Sequence, residues 1–151
     1  RVGFIGAPLW IAKACNKIQG QITSATCAIA QKAAETAMLA NPKEVTADMK
    51  ATFLKRRDMI LNELNNIEGI KCNIPQGAFY VFPDISDYFG KTLRGKTINN
   101  ATDFSLFLLE EALVATVTGD AFGNPNCIRI SYAASQEQII EAIKRIKDAV
   151  S

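Results

Sequence analysis

Cys127-Ile128-Arg129-Ile130-Ser131-Tyr132-Ala133 alternates apolar and polar side chains. Ile128 and Ile130 fall on one face and Arg129 and Ser131 on the other, the two-residue period of a half-buried strand. An arginine fixed on such a strand presents a planar two-pronged fork that matches the shape of a carboxylate. The competing reading is a charge on a solvated strand face, and these seven residues alone favour it. What surrounds the run decides between the two.

After the run, Ser135-Gln136-Glu137-Gln138 has the form of a capping box. Ile139, Ile143, Ile146 and Val150 then continue as one face of a terminal helix. Before the run comes the turn Thr118-Gly119-Asp120-Ala121-Phe122-Gly123, preceded by the β-rich residues 113–117. Phe104, Phe107, Leu108 and Ala112 give a short helical stripe, and residues 84–100 read as a polar loop. Residues 70–74 and 78–82 predict two strands flanking the turn Pro75-Gln76-Gly77. Residues 46–67 predict the longest helix, with Met49, Phe53, Ile60, Leu64 and Ile67 on one stripe and Gly69 ending it. A helix with Ser24 as its N-cap is predicted to run to about Ala40, stopped by Asn41-Pro42. Its apolar residues are mostly alanines, which suits close packing. Residues 2–5 read as a short strand, and Pro8 as part of the first turn of a helix carrying Ile11, Ala14, Cys15 and Ile18. Strands and helices alternate, so the predicted class is α/β, one sheet layered with helices.

The chain has 151 residues, 48% of them hydrophobic, enough to bury a core, and length alone suggests one domain. Its net charge of +2, with acids and bases interspersed, is too balanced to argue for a nucleic-acid or membrane surface. No apolar run has membrane-spanning length and the first residues show no signal-peptide pattern. There is no histidine, and the cysteines, Cys15, Cys27, Cys72 and Cys127, are scattered without a Cys-x-x-Cys pair. That leaves no zinc site and no His-dependent triad. Cys27, Cys72 and Cys127 read as buried reduced thiols, which fits a cytoplasmic protein.

Four segments, in order, resemble one family: Arg1-Val2-Gly3-Phe4-Ile5-Gly6; Gln21-Ile22-Thr23-Ser24 with Ala28-Ile29-Ala30-Gln31; Pro75-Gln76-Gly77-Ala78-Phe79-Tyr80; and Thr118-Gly119-Asp120-Ala121-Phe122-Gly123 leading into the arginine strand. Together they resemble the C-terminal part of a class I, pyridoxal-phosphate-dependent aminotransferase, most closely the bacterial aspartate aminotransferase branch. The resemblance implies a fold in three parts: the end of a large cofactor-binding domain over residues 1–45, a long linking helix, and a small C-terminal domain with a short mixed sheet over residues 46–151. It implies transfer of an amino group between an amino acid and a 2-oxo acid, with pyridoxal phosphate as cofactor, in a homodimer. It further implies that Arg129 binds the substrate α-carboxylate and that Arg1 binds the cofactor phosphate. The family's Schiff-base lysine would lie just upstream of residue 1, so a chain of this span is expected to be a fragment, inactive alone. Family members also place the Thr23-Ser24 stretch near the cofactor across a subunit contact. Thr118 departs from the proline of many relatives, which puts the rigidity of its turn in question. Phe122 reads equally as a residue of the active-site mouth or as a buried loop anchor.

One motif points elsewhere. Gly90-Lys91-Thr92-Leu93-Arg94-Gly95-Lys96-Thr97 satisfies the phosphate-loop pattern G-x-x-x-x-G-K-[ST]. The residues before it are not a buried strand, and the next helix is predicted to start near Asn100 or Thr102, too late to aim its N-terminus at a phosphate. A nucleotide-binding protein built on this loop is one alternative. A non-catalytic α/β module that binds a carboxylate or a partner chain is the other.

Overall fold

The structure is a computed structural model that describes residues 2–151, with Pro42 described by its backbone alone. The chain divides into two compact units, residues 1–48 and 49–151.

The first unit is helical. α1 (Leu9–Ile22) starts after Pro8, α2 (Ala28–Leu39) follows, and α3 (Pro42–Val45) is a single turn. Residues 2–5, expected as a strand, form none: among the described residues no strand lies alongside to take their backbone hydrogen bonds. Ser24 is not the N-cap of α2. It turns the chain at φ 64°, and the helix begins four residues later with Cys27 at its N-cap. Cys27 is therefore exposed, as is Cys15, against the expectation that Cys27 is buried. Asn41 does stop α2. Its side chain accepts from Lys43 N at 3.1 Å and pairs with Glu44 Oε1 at 2.6 Å, opening α3.

The second unit holds the core. α4 (Ala47–Asn65) carries Ile60, Leu61 and Leu64 inward, while Met49 at its start is exposed. β1 (Tyr80–Val81), β5 (Ile128–Ser131) and β4 (Val117–Thr118) form a sheet in the order β1-β5-β4. Both pairings are antiparallel, where a mixed sheet was expected. The loop of residues 119–127 is long enough only to fold β5 back beside β4, which gives a hairpin. Residues 70–74 contribute a single bridge, Lys71 to Asp84, in place of a strand.

α5 (Ala101–Glu111) and α6 (Gln136–Val150) complete the layer. Asn100 caps α5, its side chain accepting from Asp103 N at 2.9 Å. Ser135 and Gln138 close the expected capping box on α6. Phe104, Phe107, Ile128, Ile143 and Ile146 sit at the centre, with Tyr88 stacked on Phe104 at 5.0 Å.

The phosphate-loop pattern is a β-hairpin. β2 (Thr92–Leu93) pairs with β3 (Lys96–Thr97). Arg94 and Gly95 turn between them at φ 47° and 82°, the positive values that a tight two-residue hairpin requires at both central positions. A loop curled around a phosphate is a different conformation. Lys96, the would-be phosphate ligand, instead pairs with Glu110 at 2.5 Å and Glu111 at 2.8 Å on α5. The nucleotide-binding alternative falls on these two observations.

Candidate carboxylate-binding site

Arg129 lies on the middle strand, and register selects its company. Val117 of β4 stands directly opposite it, and Ser131 faces Tyr80 of β1. Paired side chains project from the same face of a sheet, so Tyr80, Val117, Arg129 and Ser131 share the face turned away from Val81, Ile128 and the core. The alternation read from the sequence holds, and Arg129 is half-buried. Its Cζ lies 4.5 Å from the centre of the Tyr80 ring and 4.2 Å from that of Phe122. Phe82 meets Phe122 edge-on at 6.2 Å. Phe122 is thus not a buried anchor: it is a partly exposed ring against the guanidinium.

The loop that delivers Phe122 is held tightly. A Cβ on Gly119 would lie 2.1 Å from Asn124 O and 2.4 Å from Cys127 O, so only glycine fits where these backbones meet. Gly119 N donates to Cys127 O at 2.8 Å, and Asn124 N donates to Gly119 O at 3.2 Å. Thr118, where a proline was expected from the resemblance, supplies rigidity by another route. Its hydroxyl donates to Asp120 Oδ2 at 2.9 Å and accepts from Thr102 Oγ1 at 3.4 Å.

On the far side of Tyr80 the aromatic series continues. Phe79 is 4.6 Å from Tyr80, and Phe53 of α4 is 6.0 Å from Phe79 and 6.1 Å from Tyr132. Tyr132 grips the preceding turn twice: its N–H donates to Phe79 O at 2.9 Å and its hydroxyl to Ala78 O at 3.1 Å. Phe53 and Tyr132 border an open cleft of about 280 Å³ against Pro75 and Ala78, with Arg57 at its wall.

The two arginines differ in what they have left to offer. Arg57 is engaged, its Nε and Nη2 on Asp58 Oδ1 at 2.8 and 2.6 Å and its Nη1 on Pro75 O at 3.4 Å. Arg129, among the described residues, makes no ion pair and donates no side-chain hydrogen bond. A half-buried guanidinium with rings against it and its N–H groups unspent is built to receive an anion. The sequence singled out Arg129 and did not single out Tyr80 as its neighbour. The available signal was the pairing register of residue 80 with residue 131, and that is invisible without the sheet.

Residues 1–146 match the family of class I and II aminotransferases. The chain belongs to that family. It is 45% identical over 153 residues to the bifunctional aspartate aminotransferase and glutamate/aspartate-prephenate aminotransferase of Petunia hybrida, covering 99% of this chain and 32% of that one. It is 43% identical to an aspartate aminotransferase of Rhizobium meliloti (strain 1021), over 99% of this chain and 36% of that one. A solved aspartate aminotransferase from Rhizobium meliloti superposes with a TM-score of 0.82 at 41% identity, over 96% of this chain and 36% of that chain. This aminotransferase chain therefore spans about a third of the length of the curated relatives it matches.

The family's cofactor finds no complete cradle among the described residues. Arg1, the expected phosphate ligand, lies outside them. The Thr23 hydroxyl is already bonded to Gln19 within its own helix end, and Ser24 is committed to a left-handed turn.

Proposed function

We propose that this chain is part of a pyridoxal-phosphate-dependent aminotransferase of the aspartate aminotransferase type, acting in the cytoplasm as a homodimer. The reaction is transfer of an amino group between an amino acid and a 2-oxo acid. The cofactor supplies an electron sink, and the protein supplies orientation and electrostatics. Residues 1–45 are the end of the cofactor-binding domain, with Arg1 on the cofactor phosphate, and residues 46–151 are the linking helix and small domain.

Arg129 clamps the substrate α-carboxylate. The observation that carries this is its unspent guanidinium edge beside two aromatic rings on a middle strand. The fork accepts the two carboxylate oxygens in its own plane, which fixes both the position and the rotation of the α-carbon. Holding a reactant in a productive orientation is worth several kcal/mol of barrier.

The test is Arg129→Lys in the full-length protein, with two rate ratios, mutant over wild type. One is for an amino acid and the other for the amine that lacks its carboxylate. Lysine keeps the charge and loses the fork. Spoiling one partner of a desolvated, hydrogen-bonded charge pair costs on the order of 2–5 kcal/mol. The amino-acid kcat/KM should fall by that amount and the amine's much less. Equal ratios would return Arg129 to a solvated strand residue.

A further inference from the structure

Resting on the reading of Arg129 as the carboxylate clamp, we infer that Phe122 and Tyr80 are positioning residues that fix the plane of its guanidinium. An arginine side chain with no hydrogen bond of its own has many rotamers open to it, and a fork that wanders cannot present two N–H groups at a set angle. Here the restraint is aromatic. Cζ is 4.5 Å from the Tyr80 ring centre and 4.2 Å from that of Phe122. Both distances are within the range at which the negative ring face attracts a cation. Because a ring contact restrains the guanidinium without a hydrogen-bond acceptor of the protein's own, it leaves the N–H groups to the ligand. A carboxylate or water acting as the restraint would occupy those groups.

Both rings are themselves fixed. Tyr80 is held by its pairing with Ser131. Phe122 is held by the loop that closes on Gly119, where even a methyl group would overlap two carbonyl oxygens, and by the edge-on ring of Phe82. The rings also displace water from the guanidinium. That strengthens its attraction for a carboxylate, since charges interact more strongly as the local dielectric falls.

The experiment uses the full-length protein and Phe122→Leu, with Phe122→Tyr as the conservative variant. Loss of a cation–ring contact of this kind should lower kcat/KM for the amino acid about 5- to 30-fold. The matching amine should fall less, and Phe122→Tyr should restore most of the amino-acid rate. Combined with Arg129→Lys, the two losses should be less than multiplicative, because both act through one fork. Cofactor absorbance and the thermal midpoint check the fold. Should Phe122→Leu not fold, Tyr80→Leu carries the same comparison. If Arg129→Lys discriminates between the substrates while the ring variants slow both equally and multiply with it, the positioning role is overturned and the clamp stands. If Arg129→Lys does not discriminate, the clamp is overturned and the positioning role with it.

Discussion

Burial raises the Cys72 thiol from 9.0 to about 11, with the neighbouring Cys127 adding to the rise and a hydrogen bond from the Phe82 backbone opposing it. Burial raises the Tyr88 phenol from 10.0 to about 12, helped by Glu68 and Asp87. Each group keeps its proton in the folded chain at pH values where the unfolded chain has released it. The folded state then binds more protons, so stability falls as pH rises. The window opens near pH 9, where the unfolded thiol titrates, and closes near pH 12, where the folded phenol does. Urea midpoints measured from pH 8 to 11 should decline across it, and Cys72→Ala should flatten the first part. A level profile would mean that neither group is shielded. Thiol accessibility gives a second check: Cys15 and Cys27 should react with an aqueous thiol reagent at once, and Cys127, 4% exposed, only on unfolding. At this scale the sequence exposed Arg129 and hid its neighbours. Local alternation makes a strand arginine visible, but Phe122 is seven residues away and Tyr80 forty-nine, and only the fold brings them to one guanidinium. Cys27 was misread because an apolar context in sequence does not place a residue in a core.

Elements with a local signature were legible and those made by pairing were not. The Ser135 capping box, the Asn100 cap and the end of α2 at Asn41 all follow from hydrogen bonds between near neighbours in the chain. Ser135→Ala should cost about 1 kcal/mol, the usual value of a lost N-cap, read as a lower urea midpoint. The strands shrank to two residues apiece at β1 and β4, because strand length is set by the neighbour and not by propensity. Ser24 failed as a cap since its backbone is spent on the turn before α2. The β2–β3 hairpin carries its own test. Lys96→Met removes two exposed ion pairs, so its thermal midpoint should shift only slightly, and the shift should vanish in high salt. Titration of the chain with a magnesium nucleotide should show no saturable binding. Saturable binding lost in Lys96→Met would revive a phosphate loop.

The two units of the molecule are unequal in what they bury. Among the described residues, α1 and α2 contain no buried side chain, whereas the second unit holds the whole core. Helices of 14 and 12 residues are marginal in water without packing. A peptide of residues 1–48 should therefore show little helix by circular dichroism, while residues 49–151 should unfold cooperatively. The 151-residue chain mixed with aspartate, 2-oxoglutarate and cofactor should give no turnover above a cofactor-only control, since no residue here matches the family's lysine. The α/β class and the family were readable at this scale because motif order survives where geometry does not. The antiparallel sheet was not, because it depends on contacts between residues far apart in sequence. Its middle strand has a further consequence for how the chain reaches this state. Strands of two to four residues are too short to specify their own alignment by hydrogen bonds alone. Sliding β5 by one residue would reverse its faces and turn Arg129 toward Ile60, Ile139 and Ile143, which now line the same small cavity as Ile130. An unpaired guanidinium there would cost several kcal/mol, so the one-residue slip is rejected by one charge. Arg129 thus proofreads the folding of the sheet that carries it.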